Sequence, residues 1–299
     1  MSEENEPVDT SCCASYGIAE IDDIKLMDCD GCDLVRYCSD DCRELHRSEH
    51  EEDCKKRAAE LRDELLFKQP EDSYLGDCPI CSLPLPLNVK SFISYECCSK
   101  IICKGCVTTI FLRGDGFIND MSCPFCRTVT RTHEDSDKQR MKRIEANDPA
   151  ALCQEGITQY IKENYSRAFE YLTKAAELGD VRAHSHLALL YQEGKGVQKD
   201  VGKMIYHAEE AAIAGHPDAR YLIGEHEYNN YNLERAVKHF IISAKQGHDA
   251  SMKTLMDFFK RRFVSKDDLA VALRAHKAAV DATKSPQREL EEKISNFSG

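Results

Sequence analysis

A mainly α fold is predicted, with two small cysteine-rich modules in front of an α-solenoid of helix-turn-helix repeats. Three observations lead there. Fifteen of the 16 cysteines lie at or before Cys126. They fall in closely spaced pairs. The second half of the chain repeats a helix-ending Ala-x-x-Gly signature every 32 to 36 residues.

The 299 residues carry 40 Lys and Arg against 52 Asp and Glu, a formal net charge of −12. A chain of this length suggests about two domains. The acidic balance argues against nucleic-acid binding, which needs basic surface to displace counterions. No apolar run reaches the ~18 residues of a membrane span, so no membrane partner is expected. The first residues, Met1-Ser2-Glu3-Glu4-Asn5-Glu6, are unlike a signal peptide. The expectation is an intracellular protein, cytoplasmic or nuclear, in a reducing compartment where disulfides rarely persist. Paired cysteines there point to metal, and zinc accepts four thiolate or imidazole donors tetrahedrally. The two front modules are therefore expected to be zinc-stabilised.

Residues 1–11 are expected as a disordered acidic N-terminus and 12–54 as the first module. Its spacing is Cys29-x-x-Cys32, then Cys38-x3-Cys42, then His50-x3-Cys54. Donors four residues apart share one face of a helical turn. The order resembles the MYND zinc finger. That resemblance implies one zinc on Cys29, Cys32, His50 and Cys54, and another on Cys13, Cys38, Cys42 and a ligand at position 16. Here position 16 is Tyr16, a poor ligand. Cys12, His46 or water are the alternatives for the fourth place, or the site is weak or empty. MYND modules bind short peptides, and a plain fold-nucleus role is the simpler alternative.

Residues 55–77 are expected as helix and linker. Ala58, Leu61, Leu65 and Leu66 form an apolar stripe, and Pro70 with its polar neighbours ends it.

Residues 78–127 form the second module. Cys78, Cys81, Cys97, Cys98, Cys103, Cys106, Cys123 and Cys126 supply eight thiols, enough for two tetrahedral sites. The arrangement resembles a RING finger. This implies alternating pairs: Cys78, Cys81, Cys103 and Cys106 on one zinc, Cys97 and/or Cys98 with Cys123 and Cys126 on the other. Lys100 stands where RING fingers usually carry histidine, so either both adjacent cysteines bind or one site is three-coordinate; the first is favoured. Up to four zinc ions are thus expected per chain. The resemblance also implies docking of a ubiquitin-conjugating enzyme on Ile80 and Pro124. Arg127, just after the last ligand, would bridge to ubiquitin in a positioning role. Plain alternatives are a buried knuckle residue for Ile80, a stiffened knuckle for Pro124 and a solvated charge for Arg127.

Residues 128–146, with interleaved charges, are expected as a linker or solvated helix. Residues 147–282 are repeats. Helix ends at Gly179, Gly215 and Gly247 are each followed four residues later by Ala183, Ala219 or Ser251. Glycine suits a left-handed helix terminus and a small residue permits close packing. Ala183, Leu187, Tyr191, Gly194, Gly196 and Asp200 resemble Sel-one-like repeats, relatives of tetratricopeptide repeats. The fourth unit, Ser251–Ala282, is degenerate. Such solenoids bind protein or peptide ligands. Residues 283–299 are expected as a polar tail. The resemblances together imply a RING-type ubiquitin ligase working with a ubiquitin-conjugating enzyme and ubiquitin. The alternative is a non-catalytic, zinc-dependent interaction scaffold.

Overall fold

The computed structural model describes residues 13–15, 25–113 and 122–297. The expected N-terminal tail, Cys12 and Tyr16 lie outside the described residues. The chain divides into two compact units, 1–68 and 69–299, each considered by itself. The described part is mainly helical, as the sequence predicts, with four strands of two or three residues each among the described residues.

The first unit holds the antiparallel pair β1 (Met27–Asp28) and β2 (Arg36–Tyr37) and one long helix, α1 (Asp40–Phe67). Ser39 starts α1: its Oγ accepts from the Cys42 N–H, and Asp40 and Asp41 face the positive end of the helix dipole. The helix expected from residue 55 is a continuation of the one that carries Cys42, His50 and Cys54. It ends at Phe67, ahead of Pro70. The small core is Cys13, Leu26, Val35, Tyr37 and Cys42, so the cysteines are themselves the core. A core this small needs metal or another cross-link for stability.

The second unit begins with the eight-thiol module. Strands β3 (Phe92–Ser94) and β4 (Ile101–Cys103) pair antiparallel, with Ile93 opposite Ile102, and α2 (Lys104–Arg113) follows directly. Leu85, Ile102 and Val107 fill the space between Cys78, Cys103 and Cys106.

Of the two expectations for 128–146, linker or solvated helix, the helix is what most of the stretch forms: α3 (His133–Glu145), opened by a reciprocal Thr132–Asp135 capping box. It is not fully solvated, because Arg140 is buried. Its guanidinium meets Glu155 at 2.8 Å, Asp137 at 2.5 Å and Glu96 at 3.2 Å. Glu96 belongs to the eight-thiol module and Glu155 to the next helix, so one arginine joins both.

The repeats are three helix pairs: α4 (Pro149–Ile161) with α5 (Tyr165–Glu177), α6 (Val181–Glu193) with α7 (Val201–Ile213), and α8 (Pro217–Asn229) with α9 (Leu233–Lys245). Gly179, Gly215 and Gly247 follow α5, α7 and α9 at φ near 90°. At the first, the Gly179 and Asp180 N–H groups donate to Ala176 and Ala175, closing the helix end. Ala183, Ala219 and Ser251 are buried, as close helix packing requires. Gly224 on α8 faces the Phe240 ring; a Cβ there would lie 2.7 Å from it. α10 (Asp249–Lys260) and α11 (Lys266–Ala282) complete the degenerate fourth unit.

Residues 283–299 are not simply a polar tail. Pro286–Phe297 form α12, which packs against α2 of the eight-thiol module. The module is therefore tied to the rest of the unit by Arg140 near the array's start and by α12 at its end. Just ahead of the module, Tyr74 lies on the His216 ring midway along the array, centroids 4.1 Å apart.

Candidate metal centres

Four groups of donors converge, each with its ligand atoms within 4.8 Å of one another: Cys29, Cys32, His50 and Cys54; Cys13, Cys38 and Cys42; Cys78, Cys81, Cys103 and Cys106; Cys97, Cys98, Cys123 and Cys126. All fifteen metal candidates from the sequence fall into these groups.

A tetrahedron with Zn–S of about 2.3 Å has S–S edges of about 3.8 Å. The observed edges are 3.7 Å for Cys29–Cys54, 3.9 Å for Cys78–Cys106 and Cys81–Cys103, 3.5 Å for Cys98–Cys123, 3.4 Å for Cys38–Cys42 and 3.3 Å for Cys97–Cys126. These exceed the ~2.05 Å of a disulfide, and each of these cysteines is free. His50 turns Nε2 to Cys32 Sγ at 3.2 Å. Burial holds its imidazole below the ordinary histidine range, which keeps it neutral and able to ligate. The donor sets fit zinc.

Local geometry explains each grouping. His50 and Cys54 sit one turn apart on α1. Cys38 precedes that helix rather than lying in it, yet the bend at Ser39 brings its sulfur within 3.4 Å of Cys42. In the second module the pairs alternate, so one set spans β4, α2 and the 78–81 knuckle while the other joins a tight turn to the 123–126 knuckle. Adjacent Cys97 and Cys98 both take part. The turn accepts N–H donation from Cys98 and Ser99 at the Tyr95 carbonyl, and Ser99 adopts φ 51°. Lys100, where RING fingers usually carry histidine, is exposed.

The thiols share charge unequally. Burial raises Cys78, but N–H groups of Cys103, Cys81 and Ile80 outweigh it and bring this thiol down to about 7. Thr128 bonds the Cys126 sulfur and lowers it to about 6. Burial and the neighbouring thiols push Cys54 up to about 12. Crowded sulfurs cannot all ionise beside each other; a dication in their midst removes that conflict.

The Cys13 group has three donors among the described residues. His46, one alternative for the fourth place, is turned elsewhere: Nδ1 lies 3.0 Å from the Tyr37 hydroxyl and the ring stacks on His50. Cys12 and Tyr16 lie outside the described residues.

Ile80 is 42% exposed, not a buried knuckle residue. Pro124 and Arg127 are exposed as well. The Arg127 N–H donates to the Cys123 carbonyl at 2.9 Å, at φ 59°, closing the knuckle.

Sequence reasoning passed over Arg140, Tyr74 and Arg288. Each acts through residues distant in the chain, and no local spacing marks them.

The MYND finger family model matches residues 11–54, and the Sel1 repeat model matches 150–180, 181–216 and 218–248. Ala183 and Ala219, the small residues that follow two of the helix-ending glycines, lie within two residues of the second and third matched starts. No curated protein matches. Among solved structures, a Sel1 repeat protein from Oxalobacter formigenes is 27% identical, covering 52% of this chain and 67% of its own, with a TM-score of 0.45. A protective antigen of uropathogenic Escherichia coli displaying an SLR fold is 24% identical, covering 49% and 33%, with a TM-score of 0.42. No helix among the described residues is long and apolar enough to cross a membrane. The chain thus carries a MYND-type finger and Sel1 repeats, modules that generally mediate protein–protein interaction, and residues 78–126 lie outside both matches.

Proposed function

We propose that this chain is a zinc-dependent RING-type ubiquitin ligase. The 78–126 module docks a ubiquitin-conjugating enzyme, while the MYND-type finger and the repeats select substrate. The observation that carries this reading is the alternating assembly of eight thiols with Ile80, Pro124 and Arg127 exposed at its two knuckles. Zinc would supply charge neutralisation to the thiolates and fix the knuckles in place. The chain itself then supplies no nucleophile. Ile80 and Pro124 offer an apolar seat. The Arg127 guanidinium, a planar fork of donors, holds ubiquitin's tail against the conjugating enzyme. Confining a flexible thioester to near-attack geometry is the whole catalytic gain.

The test is chain formation by the full-length protein with activating enzyme, a panel of conjugating enzymes, ubiquitin and ATP. The expectation is activity that falls at least about tenfold in I80A, with zinc content unchanged by native mass spectrometry. No chains with any conjugating enzyme, or chains indifferent to Ile80, overturn the reading.

One observation favours a second reading, a non-catalytic interaction scaffold. Helix α12 packs on α2, so part of the module's helix is already engaged within the chain. On this reading zinc is bound fully, yet the ubiquitin assay stays blank.

A further inference from the structure

Arg288 on α12 is 7% exposed. Among the described residues no carboxylate accounts for its charge. Its guanidinium instead points into the Cys78 group. Nη2 donates to Cys81 Sγ at 3.4 Å and to the Leu83 carbonyl at 3.2 Å. Nη1 donates to the carbonyls of Pro84 at 2.7 Å and Thr283 at 2.6 Å. Cys103 is its other sulfur neighbour. A guanidinium rarely stays buried without a counter-charge. Here the counter-charge would come from thiolates held on a metal ion. Four thiolates around a dication leave a net charge of about −2, which a buried arginine offsets.

The approach of α12 is also close in its backbone. Gly105, one residue before Cys106, would put a Cβ 2.7 Å from the Arg288 nitrogen and the Gln287 carbonyl carbon. Only glycine lets α12 lie against the segment that presents Cys103 and Cys106. Two independent features, a buried cation and a missing side chain, thus serve one contact across 207 residues of sequence.

We propose that Arg288 is an outer-sphere positioning residue of the Cys78/Cys81/Cys103/Cys106 centre, donating to its thiolates so that metal retention there and docking of α12 form one linked equilibrium. The proposal rests on metal binding at that centre and not on ubiquitin transfer. Outer-sphere partners typically change metal affinity about 10–100-fold. Linkage requires that docking of α12 favour the metal by the same factor as the metal favours docking.

The experiment loads the full-length chain with cadmium and records 113Cd spectra of the wild type, R288K and R288A. Peptide-mapped alkylation by N-ethylmaleimide, in the presence of a chelator, follows each cysteine on the zinc-loaded protein. In R288A the resonance of one all-sulfur centre moves, and Cys78, Cys81, Cys103 and Cys106 are alkylated about 10–100-fold faster. Cys97, Cys98, Cys123 and Cys126 serve as the internal reference and change less than about twofold. R288K, which keeps the charge but loses the fork, falls between. Unmoved resonances and unchanged alkylation in R288A overturn the proposal. If R288A loses both all-sulfur resonances, R288K decides: one shifted resonance upholds the proposal, none shifted or both lost overturns it. A wild type that binds no cadmium at the Cys78 centre overturns the metal reading and this proposal with it, whereas cadmium bound but indifferent to Arg288 overturns the proposal alone.

Discussion

Replacing Arg140 with methionine tests how the eight-thiol module is held to the repeats. The volume is nearly kept, so the perturbation is electrostatic. It strands Glu155, whose side chain is 8% exposed, and Glu96, at 25%. Breaking a buried pair by removing one partner costs about 3–5 kcal/mol, because the remaining charge has no compensation. For a unit of about 150–250 residues each kcal/mol moves the thermal midpoint about 2–4 °C, so a loss of roughly 6–20 °C is expected. The loss has a pH signature. Burial already raises the Glu96 carboxyl above its ordinary range, with Arg140 opposing. A carboxyl raised by folding binds protons more readily in the folded state than in the unfolded one. Its destabilisation therefore grows as pH rises through its folded value and fades as pH falls below the usual carboxylate range. Differential scanning fluorimetry of wild type and R140M between pH 4 and pH 8 reads both effects. A midpoint within 2 °C of wild type at neutral pH, or a deficit that does not shrink on acidification, refutes the reasoning.

Three further outcomes follow from the repeats. G224A forces a Cβ to within 2.7 Å of Phe240 and should cost about 1–3 kcal/mol in a urea melt, with F240L recovering part of it. L172A empties a fully buried position and should cost about 2–5 kcal/mol, measured the same way. Burial lowers His216 from 6.5 to about 4, and its Nδ1 accepts the Ala219 N–H at the start of α8. The unfolded chain thus binds this proton first, so stability is present above about pH 6.5 and is lost as pH falls toward 4. H216N keeps a capping acceptor and should flatten that slope in melts across the window; an unchanged slope means another group titrates.

Much of the candidate site was legible in the sequence. A pair of donors three or four residues apart must share a knuckle or a helical turn, so Cys29 with Cys32 and His50 with Cys54 needed no tertiary information. The phase of the repeats was equally local, since Gly179, Gly215 and Gly247 each mark a left-handed helix end. Local patterning was weaker where charge hid a role. The interleaved signs of 128–146 suggested solvent, yet Arg140 turns inward; a buried arginine looks like any other until its partners are known. The polar composition of 283–299 concealed α12 for the same reason.

Spacing, residue chemistry and the resemblances they carry picked out the fifteen donor residues and the glycine-marked ends of the repeat helices, because those are properties of short stretches of chain. Only the tertiary structure decided that Cys97 and Cys98 enter one group together and that His46 turns to Tyr37. It also decided that Arg288 comes back to Cys81. The first and third are encounters between segments 25 or more residues apart, and the second joins a strand to the helix that follows it. Their energy comes from desolvated charge and excluded volume, quantities that have no value until the chain has folded.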